Sequence, residues 1–167
     1  MKVSVKLNRG GTVTFVPPSH PFRSGDQIRL VFATNFTGHV AVTNRGTSGK
    51  LALVYPAAGA PAKVTPSSNF EVPASGWLRF DNQPGQEKLF VVLSPKPLPE
   101  VSQPVAGQAT PQQQQEILDQ LNGRALANSR KMGGRDLNYV AADGAGYVSS
   151  VGTVEQPWGF ELTLSHQ

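Results

Sequence analysis

Apolar and polar residues alternate along most of this chain in short runs, and glycine or proline closes nearly every run. A period of two is what a strand with one buried face requires, because successive side chains point to opposite faces. Val3, Val5 and Leu7 alternate with polar residues, Arg9-Gly10-Gly11 marks a turn, and Val13 and Phe15 continue the pattern. Met1–Val16 therefore predicts a hairpin or a bulged strand, ended by Pro17 and Pro18, which have no N–H to give to a ladder. After a loop through Ser19–Gly25, Asp26–Thr34 predicts the clearest strand, with Ile28, Leu30 and Phe32 on one face and Gln27, Arg29 and Val31 on the other. His39–Asn44 and Leu51–Tyr55 predict two more strands, joined by a tight turn at Arg45–Gly49.

Ala57–Ser68, rich in Ala, Pro, Gly and Ser, reads as a surface loop. Asn69–Val72 predicts a short strand ending at Pro73, and Trp77–Asp81 another, with Leu78 and Phe80 inward and Arg79 outward. Pro84-Gly85 is a turn signal. Lys88–Ser94 holds an unbroken L-F-V-V-L, which suits a central strand covered on both faces.

The pattern changes at Pro95. Ser94–Thr110 contains Pro95, Pro97, Pro99 and Pro104 and reads as an extended crossing or arm. Thr110 with Pro111 and Gln113 is a helix start and a capping box. Ile117, Leu118 and Leu121 share a face, so a helix is expected over Pro111–Asn122, with room to extend past Gly123 to Ala127. The β pattern returns after Gly133-Gly134, at Leu137–Ala141, Gly146–Val151 and Trp158–Ser165.

Short strands at this spacing predict a mainly β protein, a two-sheet β-sandwich (Ig-like or open barrel-like) with one short late helix capping an edge or end. The C-terminal strand is as apolar as the early ones. One domain over residues 1–167 is therefore expected, with the Pro/Gln-rich crossing and helix at 94–127 inserted before the last strands. Trp77 and Phe80 read as core aromatics, each worth about 2–3 kcal/mol if fully buried.

With 167 residues and 16% charged side chains, the chain has length for a real core and a sparsely charged surface. The net charge of +4 is spread thinly, which favours an ordinary basic surface over a polyanion site. Arg124, Arg130, Lys131 and Arg135 form the densest basic patch, but no aromatic lies closer than Tyr139. Nucleic-acid binding, which wants stacking rings among its cations, is not expected; a solvated basic loop is.

The absence of cysteine excludes disulfides, zinc–cysteine sites, iron–sulfur clusters and thiol nucleophiles. No integral membrane segment is expected, since no run approaches the roughly 18 apolar residues of a span. The opening M-K-V-S-V-K-L-N alternates and reads as a strand, with no signal peptide in this chain.

Asn44–Leu51 resembles a phosphate loop only at Gly49-Lys50: asparagine replaces the first glycine, leucine stands where a hydroxyl would hold magnesium, and two strands flank it. No G-x-S-x-G or H-E-x-x-H occurs. His20, His39 and His166 are far apart and read as loop or surface residues, His166 at a fraying end. Carboxylate pairs for hydrolysis need only two acids at the right separation. Asp26, Glu71, Asp81, Glu87, Glu100, Glu116, Asp119, Asp136, Asp143, Glu155 and Glu161 are the acids, none in a recognisable catalytic setting. Accordingly no catalytic residue, cofactor site or metal site is expected.

One resemblance rests on the series F-R-S-G-D-Q-I-R-L (Phe22–Leu30), N-F-T-G-H-V-A-V-T-N (Asn35–Asn44), G-K-L-A-L-V-Y-P (Gly49–Pro56), G-W-L-R-F-D (Gly76–Asp81) and Pro84–Pro97. With these residues the chain resembles the bacterial DUF4384 domain family, a domain of unknown function. A fainter likeness extends to Arg135–Leu137 and Glu161–His166. The family often carries aromatics where this chain has His39 and Ala41, so a ligand role of those rings is not carried over. The resemblance implies a compact β-rich accessory domain of envelope-associated, secreted or multidomain signalling proteins, and no known reaction.

Three readings follow. The first is a non-catalytic protein-interaction or structural module of the bacterial envelope (periplasmic or extracellular), binding a protein partner or a second copy through strand edges, loops or the Pro95–Pro111 arm. The second is a carbohydrate-binding module, for which Tyr55, Trp77, Tyr139, Tyr147 and Trp158 are the available rings. The third is a carboxylate-based hydrolase.

Overall fold

A computed structural model of the chain describes residues 1–57, 60–67, 69–102, 110–131, 138–140, 145–147 and 155–167. The elements in order are β1 (Lys2–Arg9), β2 (Thr12–Val16), β3 (Gln27–Ala33), β4 (Gly38–Arg45), β5 (Leu51–Tyr55), β6 (Lys63–Val64), β7 (Asn69–Val72), β8 (Leu78–Arg79) and β9 (Gly85–Ser94). Then come α1 (Pro99–Ser102), α2 (Pro111–Lys131), β10 (Asn138–Val140), β11 (Ala145–Tyr147) and β12 (Trp158–His166).

Two antiparallel sheets result. The first runs β10-β11-β1-β3-β7, with β2 also on β1 and β8 also on β3; the second runs β12-β9-β4-β5, with β6 on β4. The expected sandwich is thus what these strands build. Alternation sets the register: Val3, Val5 and Leu7 of β1 lie opposite Phe32, Leu30 and Ile28 of β3, placing all six on the inner face. Leu89, Val91 and Leu93 of β9 face them from the second sheet, with Val40, Val42, Phe160, Leu162 and Leu164. Burying these side chains against each other is the main stabilising term, at about 25 cal/mol per Å² of apolar surface.

The unbroken L-F-V-V-L run is explained by cover on its other face. Phe90 and Val92 point away from the sandwich and meet Leu118, Leu121 and Ala125 of α2. Here the helix departs from expectation in two ways. It is 21 residues long, continuing past Gly123 as the sequence allowed but ending at Lys131 instead of Ala127, and it lies across the outer face of the second sheet instead of capping an edge. The close approach needs a residue without a side chain on β12. A Cβ at Gly159 would fall 2.5 Å from the Val91 carbonyl oxygen and 3.3 Å from Ala125 Cβ.

Other differences are local. The Ala57–Ser68 stretch is not all loop, because Lys63–Val64 pairs with β4 and buries Ala62 and Val64. The hairpin β1–β2 forms, yet Val13 and Phe15 are exposed at 51% and 57%, on the outer face opposite Asn8 and Lys6. Trp77 is half-buried under Arg29, whose guanidinium carbon lies 4.7 Å from the ring centroid, so it is no core aromatic. Arg124 and Arg130 lie on α2, and Arg124 pairs with Glu100, so the basic patch is not a loop; Arg135 is outside the described residues. Of the strands expected at Leu137–Ala141 and Gly146–Val151, only β10 and β11 are described, and most of the Pro95–Pro111 arm also falls outside.

Candidate functional site

The inner layer of the sandwich changes from apolar to polar at one end. Along β4 the inward series Val40, Val42 ends in Asn44; along β9, Leu93, Val91 and Leu89 give way to Glu87; along β12, Leu162 and Leu164 give way to His166. On the first sheet Ile28 is followed towards the same end by Asp26. The β1–β2 turn, the loop before β3, the β4–β5 turn and the β8–β9 connection all converge there.

One part of this end is a closed polar knot. Asp26, 3% exposed, accepts from Arg9 Nε at 2.8 Å, from Arg9 Nη2 at 2.6 Å and from the Arg23 N–H at 2.9 Å. The Arg9 hydrogen bond, opposed by burial, holds its carboxyl below the usual carboxylate range. Gly25, at φ +88°, makes the reversal that brings the Arg23 N–H onto its neighbour's carboxylate. His20 stands at the rim, 3.4 Å from Arg9 Nη2, and burial followed by the Arg9 charge lowers its pKa. The knot is stitched to both sheets by backbone bonds: Gly25 N–H to Phe80 O, Phe80 N–H to Asp26 O, and Phe22 N–H to Ser165 O.

His166 is not at a frayed end. It is 4% exposed, paired with Gly85 across β9 and packed on Phe80, and its Nε2 lies 3.2 Å from Ser24 Oγ. A serine within reach of a histidine is the start of a nucleophile–base pair. The rest is missing: His166 Nδ1 is buried without a hydrogen-bond partner, and Asp26 is committed to Arg9 and Arg23. The contact reads as a tie between the loop and β12.

The other part is open. A cleft of about 300 Å³ lies between the sheets, floored by Ile28, Leu78, Phe80, Leu89 and Leu164. Its walls are Asn44, Thr47, Ser48 and Glu87 from the second sheet, and Arg79, Asp81 and Gln83 from the first sheet and its connection to β9. Asn44 Nδ2 donates to Glu87 Oε2 at 3.0 Å, and the Gln83 N–H donates to Asp81 Oδ1 at 2.7 Å. This is the lower end of the volume of a small-ligand site, with an apolar floor and mainly polar walls. Asn44, Gly46, Thr47 and Ser48, in the stretch that resembles a phosphate loop only at Gly49-Lys50, line the cleft as part of a strand-to-strand turn.

The remaining candidates do not assemble. No group of three or more His, Asp or Glu side chains among the described residues is placed to hold a metal ion. His39 lies on β4, half-buried and apart from the other two histidines. Of the five rings, Trp158 is buried, Tyr55 is half-buried against Phe70, and Trp77 carries Arg29; the side chains of Tyr139 and Tyr147 are outside the described residues. Asp81 and Glu87 are the two acids that share a cleft. Sequence alone does not place them together, because β8, just before Asp81, and β9, which carries Glu87, lie in different sheets.

Residues 21–97 match the family described as a domain of unknown function, DUF4384. The match takes in the F-R-S-G-D loop, the β4–β5 turn and the β8–β9 connection, which supply most of the loop end. It stops short of the fainter likeness read at Arg135–Leu137 and Glu161–His166. No curated protein and no solved structure matches the chain.

Proposed function

We propose that this protein is a non-catalytic protein-interaction module of the DUF4384 type, in which β1, β2, β12 and α2 complete the domain begun by the matched residues. The observation that carries the reading is β2. Val13 and Phe15 are exposed large hydrophobics on one face of a strand that pairs only with β1 among the described residues. An edge strand with apolar side chains and an unfilled ladder is a template for strand addition.

The occupant we assign is a second copy. In an antiparallel pairing about a twofold at Thr14, Val13 of one copy lies opposite Phe15 of the other, and the reverse. Such aromatic–β-branched pairs contribute about 0.2–1 kcal/mol each, and the twofold makes the patch self-complementary. Placement in the bacterial envelope, periplasmic or extracellular, rests on the family resemblance.

Sedimentation at rising concentration tests the reading: a dimer is expected, with the amides of Thr12–Val16 protected from exchange. Phe15→Glu, whose carboxylate would face Lys6 across the hairpin, should be a folded monomer. A wild type that stays monomeric throughout would overturn self-pairing. The glycan and carboxylate-hydrolase readings rank below; hydrolysis of an aryl-glycoside panel that vanishes in Glu87→Gln would move the protein to the enzymes.

A further inference from the structure

Two carboxylates in the loop-end cleft form no ion pair among the described residues. Asp26, Glu71, Glu100, Asp119 and Glu161 each form an ion pair, with Arg9, with Lys6 and Arg29, with Arg124, with Arg45 and with Lys88 respectively. Asp81 and Glu87 form none among the described residues, although the chain as a whole carries a net charge of +4. Both line the same cleft. Glu87 stands two residues before the buried Leu89 and opposite Leu164, so strand alternation sets it on the inner face above an apolar floor. Arg79, the one cation among the residues lining the cleft, is exposed, lies on β8 opposite Gln27 and pairs with neither acid.

We propose that this cleft binds a primary ammonium group carried on a short apolar stem. The floor of Ile28, Leu78, Leu89 and Leu164 covers the stem, and the charged head meets Glu87 and Asp81, with the Thr47 and Ser48 hydroxyls as neutral acceptors beside them. An ammonium fits better than a guanidinium. Glu87 Oε2 already accepts from Asn44, which leaves one oxygen with its full accepting capacity, and a guanidinium uses both oxygens side by side. The group is carried either by a free alkylamine or by a lysine of a partner protein.

The test is an amide-resolved NMR titration of the whole chain with pentylammonium, and separately with pentan-1-ol and pentanoate. Saturable shifts around Thr47, Ser48 and Glu87 are expected for the ammonium alone, weakened about tenfold or more in Glu87→Gln, as loss of one hydrogen bond to a charged group implies. Asp81→Asn, at an exposed position, is a second variant expected to weaken binding without touching the core. A lysine tripeptide with blocked ends separates the sources: tighter than pentylammonium assigns a protein lysine, weaker assigns a free amine. Absence of saturation, equal saturation by the alcohol or the carboxylate, or wild-type binding by both variants would overturn the proposal. Phe15→Glu should bind pentylammonium as the wild type does, so this result stands apart from the fate of strand pairing.

Discussion

The Asp26 carboxylate is acceptor to a guanidinium and to the Arg23 N–H, with almost no water contact of its own. Asp26→Ala is expected to destabilise the fold by about 1–3 kcal/mol at neutral pH, because the charge-assisted hydrogen bonds from Arg9 and the Arg23 N–H to a buried carboxylate are lost. The pH dependence follows from the lowered pKa. A carboxyl harder to protonate when folded than when unfolded stabilises above its ordinary value of 3.8, and that contribution fades as pH falls through the lowered value. Glu71, lowered first by its Lys6 hydrogen bond and then by that from Arg29, acts in the same direction. Urea midpoints of wild type and Asp26→Ala should therefore differ by a constant amount above about pH 5 and converge in acid. A gap that persists unchanged to the lowest pH would remove the Asp26 carboxylate as its source. Part of this was legible: the expected loop ends at Gly25 and the strand starts at Asp26, and the bond from the Arg23 N–H to Asp26 spans only three residues. Arg9 and His166 were not, since only the pairing of β1 with β3 and of Phe22 with β12 brings them to the loop.

Helix α2 separates what local sequence fixes from what packing adds. Its start was readable, and the capping box forms as spelled: Gln113 N–H to Thr110 Oγ1 at 3.2 Å, and Thr110 N–H to Gln113 Oε1 at 2.8 Å. Its end was not, because the sequence left the helix free to stop before Gly123 or to run on to Ala127. The helix runs on because Ala125 beyond it is buried against the second sheet, and Asn122 before it donates to Thr43 Oγ1 at 2.9 Å. A Cβ at Gly123 would meet open space. Gly123→Ala should then stabilise the protein by about 0.5–1 kcal/mol, the helix cost of glycine relative to alanine. Leu121→Ala, which empties a buried site over Ala41 and Val92, should cost about 2–5 kcal/mol. Thermal melts of the two variants should move in opposite directions; a destabilised Gly123→Ala would mean that the helix needs its glycine for a reason other than continuity.

At the scale of the whole molecule, the family match and the core have different boundaries. Residues 21–97 contribute β3 to β9, yet β1 lies between β3 and β11, and β12 is the only described neighbour on one side of β9. The interior mixes all of them: Val3, Val5 and Leu7 pack in the same cluster as Phe32, Val91, Phe160 and Leu164. A fragment of residues 21–97 would expose the flank of β3 that pairs with β1 and the flank of β9 that pairs with β12, leaving two open ladders and half of the facing apolar layer. Such a fragment is expected to be unfolded or aggregated, with no dispersed amide spectrum, whereas residues 1–167 should unfold in one transition by both calorimetry and circular dichroism. A cooperatively folded 21–97 fragment, or a second transition in the full chain, would split the molecule into a core and an appendage. The loop end would then belong to two units, because Asp26 and Glu87 lie within the matched residues while Arg9 and Leu164, which bond the knot and floor the cleft, lie outside them.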